Sequence, residues 1–249
     1  MAQYSTNFAD SGYGTGSQPP DWTARWGAVD SPEDALFTVE SDSSGFSFGD
    51  QVLQIDYISS AYSALSWDDA GVSGDFDTKI RVRWMAENVL SYGTGLVLRG
   101  SGTEDDETGY VVAGYPYNDE ILLWKIDGGA KSDLGSCKVP QGLVVGKWYW
   151  IRFQVTGTNL KVKVWRDDEG EPASWDIEET DATIGGTGWV GVFVRKDDGE
   201  VDWFGAGTGG SVPPSPPSAE GDARVTQIVT EVLRQFSSTQ VSATVVVVN

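Results

Sequence analysis

The chain has 249 residues, 17 basic and 37 acidic, for a formal net charge of −20, and contains no histidine and a single cysteine. That charge repels phosphate backbones and anionic lipid, which sets nucleic acid and membranes aside as partners. The missing histidine removes the usual general base and the commonest zinc ligand, while 31 glycines and 11 tryptophans, with many Val, Thr and Tyr in short runs, favour strands and tight turns over helices.

The segment Met1–Phe8 is polar and has neither a basic start nor an apolar run, so no signal peptide is expected and synthesis is placed in the cytosol. No stretch approaches the roughly 20 apolar residues of a membrane span. From Phe8 to about Gly210, short apolar-patterned runs alternate with Gly, Asp, Asn and Ser clusters, the punctuation of a sandwich or barrel. Strands are expected over Ala35–Glu40, Val52–Tyr57, Ala64–Trp67, Phe76–Trp84, Tyr92–Arg99, Gly109–Tyr115 and Glu120–Ile126. They continue over Trp148–Thr156, Asn159–Arg166, Trp175–Thr180, Gly188–Arg195 and Glu200–Phe204. Strands of this number and length suit two stacked antiparallel sheets. The clearest element is the hairpin Trp148–Arg166. Ile151, Phe153 and Val155 face one way, Thr156-Gly157-Thr158-Asn159 turns the chain, and Leu160, Val162 and Val164 alternate with Lys161, Lys163 and Trp165, giving one buried and one wetter face.

Cys137 has no partner for an internal disulfide and no histidine to activate it, so it reads as a structural thiol. The acidic runs Glu104-Asp105-Asp106-Glu107, Asp167-Asp168-Glu169 and Asp197-Asp198 fall where loops are expected and read as solvated loop tips. At Ser211–Gly221 four prolines among serines exclude a central strand and favour a semi-rigid polyproline spacer. Beyond it, residues 222–249 hold two β-branched runs, Val225–Val229 and Val241–Val248. The spacing Val225, Ile228, Val229, Val232, Leu233 also fits an amphipathic helix, but β-branched residues favour strands. Such a segment is too small for its own core, and Val225, Ile228, Val229, Val232, Val241, Val245 and Val247 are the residues expected to pair with a partner. The expected organisation is therefore a sandwich over 1–210, a linker over 211–221 and a β-rich assembly segment over 222–249.

The stretch Gly146-Lys147-Trp148-Tyr149-Trp150-Ile151-Arg152-Phe153, then Leu160-Lys161-Val162-Lys163-Val164-Trp165, resembles the paired central strands of concanavalin-like and laminin-G-like jelly rolls. Glu171-Pro172-Ala173-Ser174-Trp175 and Gly188-Trp189-Val190-Gly191-Val192 extend that resemblance. It implies an all-β, two-sheet antiparallel jelly-roll sandwich, here followed by a short C-terminal β extension, on a scaffold used for sugar binding, glycosidases and adhesion. Val201-Asp202-Trp203-Phe204 resembles the last strand of the same relatives, where an aspartate reaches a structural calcium. By that analogy Asp202 would bind calcium with oxygens from Asp10 in the N-terminal segment and from the turn at Asp50. The start of the tail, Ala223-Arg224-Val225-Thr226-Gln227-Ile228-Val229, resembles tails appended to jelly rolls in structural proteins of tailed bacteriophages.

A glycosidase needs only two carboxylates, and Asp176/Glu178 and Glu200/Asp202 each put a pair on one sheet face. Neither sits in the Glu-x-Asp-x-x-Glu or Glu-x-Asp-x-Glu pattern of the laminarinase and lichenase relatives, so no enzyme is expected. For sugar contact, the densest aromatic and polar group is Tyr110, Tyr115, Tyr117, Asn118, Asp119 and Trp124, since rings stack on sugar faces while Asp and Asn hold hydroxyls. The leading expectation is a non-enzymatic virion structural or decoration protein of a tailed bacteriophage, whose partners are other virion proteins or its own copies. The alternative is a carbohydrate-binding adhesin or tail-fibre domain with a glycan partner; a glycoside hydrolase comes third.

Overall fold

A computed structural model of the chain describes residues 2–9, 12–26, 37–42, 47–56, 62–85 and 93–217. Asp10 and the seven assembly residues of the C-terminal segment lie outside them. A compact unit covers Met1–Pro216, and its described residues form fifteen strands. In chain order these are β1 (Ala2–Thr6), β2 (Trp22–Trp26), β3 (Phe37–Ser41), β4 (Gln51–Ile55), β5 (Ser63–Trp67), β6 (Phe76–Trp84), β7 (Gly93–Ser101) and β8 (Thr108–Tyr115). They are followed by β9 (Glu120–Asp127), β10 (Ala130–Lys138), β11 (Tyr149–Thr156), β12 (Asn159–Arg166), β13 (Ile177–Thr180), β14 (Trp189–Arg195) and β15 (Gly199–Thr208).

The strands form two antiparallel sheets. Sheet A has the order β13-β12-β11-β6-β15-β4-β3, with β1 also paired to β15, and sheet B the order β10-β9-β8-β7-β14-β5-β2. Alternation decides which side chains meet between them. Phe76, Ile80, Val82 and Trp84 of β6, with Ile151, Phe153 and Val155 of β11, pack against Leu96, Leu98, Val112, Leu123 and Val192 of sheet B. At one end Trp22 stacks on Trp67 at 5.5 Å and 4°, and Phe204 meets both rings edge-on. Each such fully buried side chain contributes about 1.5–3 kcal/mol. The result is the expected jelly-roll sandwich.

The expected strands Phe76–Trp84 and Asn159–Arg166 are matched to the residue. The turn joining β11 and β12 is a two-residue loop, with Thr156 opposite Asn159 and a positive φ of 57° at Gly157, a conformation open to glycine. The hairpin's second face differs from expectation. Trp150 and Trp165 stack there at 6.2 Å, form a buried cluster with Trp203, and lie beside a Lys163 that is only 5% exposed. Long cationic stems roof the tryptophans and exclude water from a face that polar alternation alone reads as wet. Three strands, β1, β2 and β10, went unmarked by alternation; β10 is an edge strand, exposed along most of its length and bulged between Asp133 and Gly135.

Candidate functional site

Sheet B carries a second apolar layer on its outer side. Trp26, Val97, Val111, Trp124, Trp189 and Phe193 are buried there, with Tyr62 packed against them. Over this layer opens a cleft of ≈ 520 Å³, whose lining includes Tyr62, Arg195, Glu104, Asp105, Glu107 and the Gly128–Gly129 turn. Tyr62 and Arg195 belong to the outer face because each lies two residues from an outward-facing neighbour, Ala64 and Phe193. The Arg195 guanidinium lies 4.8 Å from the centre of the Tyr62 ring, a cation–π stack.

The opposite wall is a pair of linked turns. Asp106 N–H donates to Thr103 O at 3.0 Å and Gly129 N–H to Glu107 O at 2.9 Å, while Gly128 N–H donates to Thr108 Oγ1 at 3.1 Å. Gly128 and Gly129 both have positive φ, 58° and 75°, the two-residue hairpin geometry that joins β9 to β10. Glu107 is 5% exposed, so the acidic run Glu104–Glu107 is not wholly a solvated tip; its last member is built into the wall. The cleft thus offers carboxylate acceptors, guanidinium donors and a phenol ring within one concavity. Alternation gave no reason to single out Tyr62 or Arg195. The usable signal was the acidic run followed, 20 residues on, by Asp127-Gly128-Gly129.

The six residues expected to contact sugar are divided by the fold. Tyr110 is fully buried between the sheets. Its hydroxyl donates to Asp181 Oδ1 at 2.8 Å and accepts from Ile184 N–H at 3.2 Å, and burial together with Asp181 pushes its pKa up to about 12. Burial works against charge on Asp181, yet the Lys125 ammonium and the Tyr110 hydroxyl hold that carboxyl down at about 2. Trp124 is fully buried in the outer layer of sheet B, with Lys131 Nζ 5.0 Å from its ring centre. Neither ring has surface left for a sugar. Tyr115 and Tyr117 do stay together, ring centres 6.1 Å apart, with Tyr117 49% exposed and Asn118 beside it. Asp119 shapes their loop: it takes a left-handed φ of 53°, and its Oδ1 accepts from Leu143 N–H at 2.8 Å.

The outer face of sheet A is occupied by its own charges. Asp77, Lys79, Arg81 and Arg83 project from β6 on that side. Arg81 pairs with Asp202 and, at 2.6 Å, with Asp167; Arg83 pairs with Glu200 and, at 3.1 Å, with Asp42. Phe48 N–H donates to Asp202 Oδ1 at 2.9 Å. Asp202 is fully buried, and burial pushes its carboxyl up to about 6 against the pull of Arg81. The N-terminal segment and the Gly49 turn do meet, as the calcium analogy requires, with Ala9 and Asn7 packed around Gly49. The cation at Asp202, however, is Arg81. A guanidinium on one carboxylate oxygen and an amide on the other do not fit a calcium ion there, and Asp50 is an exposed turn residue whose carbonyl accepts from Asp42 N–H. Among the described residues no group of three or more His, Cys, Asp or Glu is placed to hold a metal.

The remaining carboxylate pair is also engaged. Asp176 accepts from Val164 N–H at 2.9 Å, and Glu178 from Lys161 Nζ at 2.6 Å. Cys137 is half-buried, and burial pushes its thiol up to about 12.

No family model and no curated protein sequence matches the chain. Solved structures match it in fold. Carbohydrate-binding module CBM66 from Bacillus subtilis is 18% identical, with a TM-score of 0.51 over 76% of this chain and 96% of that one. A VIP36 exoplasmic/lumenal domain solved with Ca2+ and Man2 bound is 13% identical, with a TM-score of 0.50 over 87% and 91%. GH43B of the Bacteroides ovatus xyloglucan PUL is 12% identical, with a TM-score of 0.52 over 82% of this chain and 39% of the neighbour. The fold is of the lectin-like, concanavalin-like jelly-roll type.

Proposed function

We propose that the sandwich is a glycan-binding module that holds sugar in the cleft on the outer side of sheet B and does not cleave it. The observation that carries this reading is the cleft's composition. Glu104, Asp105 and Glu107 can accept hydrogen bonds from sugar hydroxyls, Arg195 can donate to ring and hydroxyl oxygens, and the buried aromatic layer beneath makes the floor rigid. Support comes also from the fold likeness to a carbohydrate-binding module and to a domain solved with a mannose disaccharide. Binding without hydrolysis is favoured because all four candidate catalytic carboxylates are spoken for: Asp176 by a backbone amide, Glu178 by Lys161, Glu200 by Arg83 and Asp202 by Arg81.

Of the expectations raised by the sequence, this adopts the carbohydrate-binding alternative. The virion role rests on residues 222–249, outside the described part of the chain, and the fold likeness favours the alternative over it. The test is affinity electrophoresis of the purified chain through gels containing mannan, xylan, xyloglucan or levan, with and without EDTA, alongside a reducing-end assay. Retardation by at least one polymer is expected, weakened roughly tenfold in Arg195→Ala by loss of charge-assisted donors, with no release of reducing ends. EDTA reports whether calcium contributes. Mobility unchanged in every gel refutes the reading.

A further inference from the structure

Between the cleft and the Tyr115–Tyr117 pair runs a strip of sheet B that the cleft itself does not use. The faces follow from register. Glu120 stands opposite Tyr115 across β8 and β9, and Lys138, Ser136 and Asp133 stand opposite Glu120, Leu122 and Trp124 across β9 and β10. Directly opposed residues in an antiparallel pair share a face. Leu122 and Trp124 belong to the outer layer, so Asp133, Ser136, Lys138 and Glu120 all lie on the side where the cleft opens. Beyond the bulge at Asp133/Gly135 the opposite set, Leu134 and Cys137, turns inward to the main core.

The strip begins at the Gly128–Ala130 wall of the cleft and ends at the tyrosines. From that wall β8 covers the same interval, Thr108 to Tyr115, about 24 Å at ~3.4 Å per residue, whereas the cleft's other wall is level with the tyrosines, since Arg195 pairs with Gly93 and Gly95 with Ala113. Its polar groups alternate in sign: Asp133 is largely exposed and bonded to Lys131, and Lys138 lies 3.9 Å from Glu120. Such a surface attracts neither polyanion nor polycation but can donate to and accept from hydroxyls along its length. The far end is held rigidly. Asp119 N–H closes the Pro116–Asn118 turn at 3.0 Å, and Lys138 Nζ donates to Asn118 O at 2.6 Å. Tyr117 is thereby presented half-exposed beside Tyr115, on a platform that binding need not order.

We infer that the module binds an internal stretch of a glycan chain, laid along β9 and β10 from the cleft to a second, aromatic subsite at Tyr115 and Tyr117. This rests on the reading of the cleft as a sugar site and adds to it the ligand's length and direction. A single sugar held at the Gly128–Ala130 wall would leave Tyr117 untouched; a chain of several units reaches both.

The two readings separate in calorimetric titrations of the full chain with cello-, xylo-, manno- and levan-derived fructo-oligosaccharides of two and six units. In the series that binds, the six-unit sugar is expected to bind at least tenfold tighter than the two-unit sugar. Tyr117→Ala is expected to weaken the six-unit sugar roughly three- to tenfold, the worth of one stacked ring, and to leave the two-unit sugar unchanged, while Tyr117→Phe restores wild-type affinity. Affinity independent of length, or an equal effect of Tyr117→Ala at both lengths, overturns the second subsite and leaves the cleft standing. No binding by the wild-type chain at either length overturns the cleft reading and this inference with it.

Discussion

Asp197 is a carboxylic acid in a place that disfavours its charge. It is 1% exposed, at the turn between β14 and β15. Its Oδ2 accepts from Thr94 N–H at 3.0 Å and Thr94 Oγ1 at 3.3 Å, while Oδ1 is buried without a hydrogen-bond partner. Burial, aided by the neighbouring Asp198 and only partly offset by Thr94, pushes its pKa up to about 7 from 3.8. A carboxyl whose folded pKa lies above its unfolded one binds its proton more tightly in the fold. Its contribution is therefore full below about pH 4 and is lost as pH rises through 7. Three units at 1.36 kcal/mol each set an upper bound of about 4 kcal/mol, which relaxation and water entry reduce to roughly 2–3. Asp197→Asn keeps the shape and the acceptor for Thr94 but cannot ionise. Urea denaturation followed by tryptophan fluorescence, at pH 4.5 and pH 8, should find the variant close to wild type in acid and about 2 kcal/mol more stable at pH 8. Other groups also titrate over this range, so the informative quantity is the difference between the two proteins. A variant no more stable than wild type at pH 8, with the same pH dependence, refutes the argument.

Arg81→Ala leaves Asp202 buried without its cation and should destabilise by about 3–5 kcal/mol in the same urea assay; Arg81→Ala combined with Asp202→Asn should recover part of that loss. Tyr110→Phe removes the hydroxyl that joins Asp181 to Ile184 and should cost about 1–2 kcal/mol, yet leave glycan affinity unchanged, since the ring is buried between the sheets. A charged ligand gives a further check. With a net charge of −20 and three carboxylates in the cleft against one guanidinium, polygalacturonate should fail to retard the chain in low-salt gels that retard it with a neutral polymer.

Strands with one apolar face were legible because a period of two needs only local sequence. The hairpin of β11 and β12 announces itself through Ile151, Phe153, Val155, Leu160 and Val162. Edge strands escape this logic: β10, Ala-Lys-Ser-Asp-Leu-Gly-Ser-Cys-Lys, has few residues to bury, and its bulge breaks what alternation it has. The sugar-site expectation was local in the same way. It grouped Tyr110, Tyr115, Tyr117, Asn118, Asp119 and Trp124 because they are near in sequence, but a strand sends alternate residues to opposite faces. Tyr110 therefore goes into the core and Trp124 into the outer layer, while Tyr115 to Asp119 remain together in one turn. The cleft residues Tyr62, Glu107 and Arg195 come from three separate stretches, and only the pairing of β5, β14, β7 and β8 assembles them.

The two outer faces of the sandwich show which surface is left for a ligand. On sheet A every long cation of β6 finds a carboxylate: Lys79 with Glu171, Arg81 with Asp202 and Asp167, Arg83 with Glu200 and Asp42. Lys79 lies over Trp150 and Trp203 of the buried tryptophan cluster, while Arg81 and Arg83 stack on Trp148 beside it. Opening such a face to a sugar would strip paired charges of their partners at a cost of several kcal/mol, more than a few hydroxyl hydrogen bonds return. On sheet B the aromatic layer is just as buried, but a cleft of ≈ 520 Å³ opens over it. The concavity between Tyr62 and the Gly128–Gly129 turn gives a ligand room that the roofed face of sheet A lacks, which is why the proposed glycan site is placed on the outer side of sheet B even though the denser set of tryptophans and arginines lies on sheet A.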